Sequence, residues 1–172
     1  EKTPWQAEND GLVVPPKIKK MGYKGVESTE LVFDGFKVDD DRVLGGPDGV
    51  GEGFKQMMDA LEVGRVNVAA RGVGIAQRAL ELGLRYAQER KTFGKPIAQH
   101  QAIQFKLADM ATKVEAARLL TFKAARMKDA GQRSDVEAGM AKLYASEAGK
   151  EVVEDAFRIH GGGSGSPSAV AN

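Results

Sequence analysis

The chain has 172 residues, with 25 basic and 24 acidic side chains, 28% charged and 42% apolar residues, the profile of a globular domain large enough to bury its own core. It contains no cysteine and two histidines, which excludes a disulfide scaffold, zinc fingers, thiol catalysis and cysteine-ligated clusters. A net charge of +1 gives no reason to expect nucleic acid as a partner. No apolar run reaches the roughly 20 residues of a membrane span, so the expected compartment is the cytoplasm or an organelle matrix.

Residues 1–49 are rich in proline and turn residues and carry a β-like run, Glu30 to Val38, in which Leu31, Phe33, Phe36 and Val38 recur at spacings near two. This block reads as the strands and turns of a β-domain, with too few strands to close a sheet alone. From Phe54 the period lengthens to that of a helix. Phe54, Leu61, Val68, Ile75 and Leu82 fall every seven residues, which predicts a first helix of about ten turns ending near Arg90-Lys91, before Gly94 and Pro96. A second helix is predicted from about Gln99 to Asp129, with Ile103, Leu107, Met110, Val114, Ala117 and Thr121 on one face and Gly131 closing it. The third follows Ser134, with Glu137 at capping-box spacing, and aligns Val136, Met140, Tyr144, Ala148, Val152, Ala156 and Ile159. The expected fold is mainly α, α+β overall: the end of a β-domain in 1–49, an incomplete antiparallel helical bundle in 50–160, and a flexible Gly/Ser tail in 161–172. Three such faces call for a fourth helix, from further sequence or from a partner chain.

Few segments carry chemistry. The glycines of Arg71-Gly72-Val73-Gly74 lie inside a helix pattern, where close packing is a better reading than a phosphate loop. Between the first two helices, Glu89-Arg90-Lys91-Thr92-Phe93-Gly94-Lys95-Pro96 offers a guanidinium, a hydroxyl, two ammonium groups and an aromatic ring, a set suited to phosphate with a stacking surface beside it. A solvated helix end accounts equally for the charges, although not for Phe93. Gly161 to Gly163 suit either a C-cap or close approach to an anion. His100 reads as a cap or core histidine, and with only His160 as company it makes a metal site unexpected. Glu62 and Arg65, three apart, read as an ion pair or as one wall of a ligand cleft.

In order and spacing, Met21-Gly22-Tyr23-Lys24-Gly25, Leu44-Gly45-Gly46, Gly64-Arg65, the string Arg90 to Pro96, His100-Gln101 and Ile159-His160-Gly161-Gly162 closely resemble the FAD-dependent acyl-CoA dehydrogenases, over roughly residues 11–162. The resemblance implies a C-terminal portion of such an enzyme, assembled as a homotetrameric dimer of dimers. It implies that Arg90, Thr92, Phe93, Gln101, Arg158, Gly161 and Gly162 contact the pyrophosphate and adenosine part of FAD held mainly by a neighbouring subunit. It places Arg65, and with it Glu62, at the acyl-CoA end. The implied reaction is α,β-desaturation of an acyl-CoA in fatty acid metabolism, with electrons passed on to a separate acceptor.

One departure bears on activity. The family's usual base lies in a Glu-Gly-Thr segment that this chain does not contain. Some relatives carry the base at the position matching Gly64, where glycine cannot serve, so no catalytic residue is assigned and these 172 residues alone are expected to be inactive. A non-catalytic subunit that completes a partner's FAD site, or an acyl-CoA oxidase-type relative, are the alternative readings.

Overall fold

The computed structural model describes residues 11–162. The expected Gly/Ser tail therefore lies outside the described residues, apart from Gly161 and Gly162. The chain divides into two compact units, Glu1–Phe54 and Lys55–Asn172.

In the first unit, β1 (Leu12–Val13) pairs antiparallel with β2 (Val32–Phe33), with Leu12 opposite Phe33 and Val13 opposite Val32. Only two residues of the expected run from Glu30 to Val38 thus find ladder partners. Gly11 precedes β1 with φ +104°, and a Cβ there would sit 2.3 Å from the Asp34 carbonyl oxygen, so the position admits only glycine. Leu12 is buried, whereas Val13, Val32 and Phe33 are exposed.

Helices α1 (Gly53–Glu89), α2 (Gln101–Asp129) and α3 (Asp135–His160) build the second unit. Their cross-links run in opposite order along each pair. Lys106, Lys113 and Lys123 of α2 meet Asp155, Glu151 and Glu137 of α3, and α1 residues Glu62 and Gln77 meet Lys128 and Arg118 of α2. Both neighbouring pairs are therefore antiparallel, as the short connections require.

The core is lined largely by small side chains. Toward one end Ala69, Ala117, Ala124, Ala141 and Ala145 pack together; toward the other, Ala76, Ala87, Met110, Val114, Val152 and Ile159 do so. At Gly72 a Cβ would lie 2.8 Å from the Ala145 carbonyl oxygen, so α1 and α3 touch backbone to backbone there. This bears out close packing at Gly72, while Gly74 faces open space.

Two expected faces are corrected. On α1 the large apolar row is not the buried one: Leu61, Val68 and Ile75 are 48%, 40% and 55% exposed. Glu62, Ala69, Ala76 and Gly83, one residue further and so about 100° around the helix, face the core instead. In the first half of α3, Val136 and Met140 are exposed and Ala138, Ala141 and Ala145 are buried; the expected face holds only from Ala148 to Ile159. Helices that approach through alanine and glycine leave their larger side chains pointing outward. On α2 the expected face is the buried one, with Met110, Val114, Ala117 and Thr121 inside.

The capping box at Ser134 does not form. Its side chain makes no cap hydrogen bond, and Glu137 pairs with Lys123 at 3.5 Å.

Candidate functional site

The connection between α1 and α2 is ordered into a hairpin that periodicity could not reveal. Arg90 N–H donates to Tyr86 O at 2.9 Å, extending the helix ladder by one bond, and Arg90 O accepts from Ile97 N–H at 2.8 Å, closing the base of the loop. Between them β3 (Lys91–Thr92) pairs antiparallel with β4 (Lys95–Pro96). Phe93 and Gly94 make the two-residue turn, both left-handed at φ +51° and +80°. That geometry matches the twist of a tight hairpin, but it is unfavourable for a phenylalanine. Phe93 is also 97% exposed. A bulky ring held in a strained backbone and wholly in solvent contributes nothing to the core, so folding does not explain it.

The hairpin is cationic. Arg90, Lys91 and Lys95 have no ion-pair or hydrogen-bond partner for their side chains among the described residues. Thr92 Oγ1 lies 3.0 Å from His100 Nε2, and the His100 ring meets Phe93 edge-on with centroids 6.3 Å apart. Gln101 opens α2 next to this histidine, with its side chain exposed.

The end of α3 is fastened to the same end of the bundle. His160 stacks on Tyr86, centroids 4.5 Å apart, and its Nδ1–H donates to Ala156 O at 2.8 Å. Tyr86 stands one turn before Arg90, so the stack draws Gly161 and Gly162 toward the point where α1 passes into the hairpin. Gly161 ends α3 at φ +56°, its N–H donating to the carbonyls of Phe157 and Arg158; it thus serves as the C-cap, one of the two roles open to it from sequence. Arg158 is exposed, but its guanidinium is within 3.4 Å of Asp155 and 3.9 Å of Glu154, so its charge is already countered.

Glu62 and Arg65 do not join this cluster. They sit 28 and 25 residues before Arg90 on a continuous helix, a separation of about 40 Å at 1.5 Å per residue. The expected Glu62–Arg65 ion pair is absent among the described residues. Glu62 instead turns inward: Ser134 donates its hydroxyl to Oε1, and Lys128 Nζ stands 3.5 Å from Oε2. The Ser134 hydrogen bond, opposed by desolvation and aided by Lys128, holds the carboxyl below its ordinary range. A carboxylate 9% exposed and engaged on both oxygens does not fit the substrate-facing role expected of Glu62. Arg65 is exposed, with no side-chain partner among the described residues. Sequence reasoning missed the Ser134–Glu62 bond, because the serine's place before a helix pointed to capping.

Among the described residues no group of three or more His, Asp or Glu side chains could hold a metal ion, and no helix is long and apolar enough to cross a membrane.

The described part of the second unit is thus an antiparallel three-helix unit with a cationic, aromatic-tipped hairpin and a glycine-ended helix at one end. The sequence pattern described as "Acyl-CoA dehydrogenase, C-terminal domain" matches residues 51–169, and the chain belongs to the acyl-CoA dehydrogenase family. It is 46% identical over 146 residues to (2S)-methylsuccinyl-CoA dehydrogenase of Cereibacter sphaeroides, covering 85% of this chain and 26% of that protein. In structure it resembles butyryl-CoA dehydrogenase of Megasphaera elsdenii, with a TM-score of 0.79 and 39% identity over 91% of this chain and 40% of that one. It also resembles PigA with FAD and proline, with a TM-score of 0.81 and 29% identity over 93% of this chain and 41% of the other. The chain thus spans about two-fifths or less of the length of these relatives.

Proposed function

We propose that this chain is the C-terminal part of a flavin-dependent acyl-CoA dehydrogenase, and that its hairpin binds the pyrophosphate and adenosine part of FAD. The observation that carries this reading is the three uncompensated cations of the hairpin beside a strained, fully exposed Phe93. Diphosphate supplies the missing negative charge, and adenine or ribose supplies a flat surface for the ring. The donor set fits the cofactor: Arg90 offers bidentate N–H groups, Thr92 a hydroxyl, Gln101 an amide, and Gly161 and Gly162 allow close backbone approach. Arg158 is the weakest member, because Asp155 and Glu154 already hold it.

When bound, the flavin supplies the acceptor for a hydride from the acyl β-carbon. This chain's residues bind and orient its nucleotide end. The 40 Å between Arg90 and Arg65 argues that one chain serves two separate sites, its hairpin completing one and the start of α1 bordering another. Assembly as a dimer of dimers accords with this, and with the exposed row of Leu61, Val68 and Ile75, which needs covering by further protein. Acyl-CoA as substrate and a separate electron acceptor follow from the same family reading.

The reacting α-proton needs a carboxylate, and α1 does not offer one at Gly64, while Glu62 is committed to Ser134 and Lys128. These two observations favour a base supplied from outside these 172 residues. They equally suit a second reading, a non-catalytic subunit completing a partner's flavin site. Titrating FAD into the assembled protein tests the main proposal. Arg90→Ala should weaken binding by about 1.5–3 kcal/mol, the scale of a hydrogen bond to a charged group; unchanged affinity would reject it. Copurification of a second, base-bearing chain with one FAD per pair would select the subunit reading.

A further inference from the structure

His100 occupies the N-cap position of α2, where a side-chain oxygen normally accepts a hydrogen bond from the first turn, but its ring makes no such bond. Its backbone carbonyl accepts from Ile103 and Gln104 N–H groups at 2.9 and 3.1 Å, so the helix starts without help from the imidazole. The ring instead folds back over the hairpin, half-buried, with Nε2 on Thr92 and an edge-on contact with Phe93. The imidazole therefore plays no part in starting the helix, and its contacts are with the hairpin.

The chemistry of the pair is directional. A hydroxyl has one proton and two lone pairs. If Nε2 is bare, Thr92 donates its proton to the ring and has none left for an external acceptor. If Nε2 carries hydrogen, His100 donates to Thr92 Oγ1, and the threonine proton is released toward an outside oxygen. The edge contact with Phe93 meanwhile supports a ring whose own backbone is strained.

Resting on the reading that the hairpin takes the FAD diphosphate, we propose that His100 is the positioning residue of this loop. It holds Thr92 and Phe93 in place and, with hydrogen on Nε2, turns the Thr92 hydroxyl into a donor to a phosphate oxygen. His100 acts through Thr92 and does not touch the nucleotide through Nε2.

The test uses the assembled, flavin-binding protein and FAD itself as probe, with affinity read from flavin fluorescence. Thr92→Val and His100→Phe should each weaken FAD binding about tenfold or more, and the double variant should lose much less than the product of the two losses, because both remove the same donor. His100→Gln, which keeps an N–H donor, should recover most of the loss. Nitrogen-15 spectra of the imidazole should show hydrogen on Nε2 in the FAD-bound protein, and the Nε2 resonance should shift on Thr92→Val, because its hydrogen-bond acceptor is then gone. The proposal is overturned if His100→Phe binds FAD like the unaltered protein, if the two losses multiply as independent effects, or if Nε2 is bare in the bound state. Should Arg90→Ala also leave affinity unchanged, the flavin reading itself falls and this inference with it.

Discussion

Ser134 donates its hydroxyl hydrogen to the carboxylate of Glu62 across 72 residues of sequence, tying the early part of α1 to the turn between α2 and α3. The serine is fully buried and the glutamate nearly so. Ser134→Ala should therefore lower the unfolding midpoint at neutral pH. The bond favours the ionised carboxylate, so the folded-state value of Glu62 lies below that of the unfolded chain. Its stabilisation is present above the ordinary carboxylate range, near 4.5, and is lost as pH falls through the lower, folded value. Thermal denaturation of both proteins from pH 7 to acid should show their midpoints converging on the acid side. A gap that stays constant over this range would count against the assignment.

Gly72 and Gly74 lie on one helix, two residues apart, in opposite circumstances. A Cβ at Gly72 would sit 2.8 Å from the Ala145 carbonyl oxygen, whereas one at Gly74 meets nothing within 4 Å. Gly72→Ala should cost about 1–3 kcal/mol by forcing α1 and α3 apart. Gly74→Ala should gain up to about 1 kcal/mol from helix propensity, unless an assembly partner lies against that face. Chemical denaturation of the two variants, side by side, checks the sign of each.

Phe93 is expected to trade stability for binding. Asparagine tolerates the left-handed region better than phenylalanine, and the ring has no core contact to lose. Phe93→Asn should leave the melting temperature unchanged or slightly raised, yet weaken FAD binding several-fold through loss of the stacking surface. A fall in stability with unaltered affinity would assign the ring to folding instead.

The extents of the three helices were legible because their determinants are local. The apolar period runs within each segment, and breakers stand close to the ends: Gly94 and Pro96 after α1, Gly131 after α2 with φ +67°. The family was legible for a related reason, since the order Arg90 to Pro96 followed by His100-Gln101 is carried by adjacent residues. Which face of α1 is buried was not. Period alone ranks Leu61, Val68 and Ile75 as the core row, but α1 packs on α3 through Gly72, where no side chain intervenes, and Ala69 and Ala76 are buried instead. The partner of Ser134 was equally hidden, because local spacing offers it a capping role and only the folded chain brings Glu62 within reach. What the sequence by itself determined is where helices start and stop and which residues carry charge, because propensity and breakers act over a few positions. Tertiary structure decided which row faces inward, that the cationic loop closes as a strained hairpin under His100, and that Glu62 is spent on Ser134. Those outcomes depend on how near two backbones can come, a distance no single segment contains.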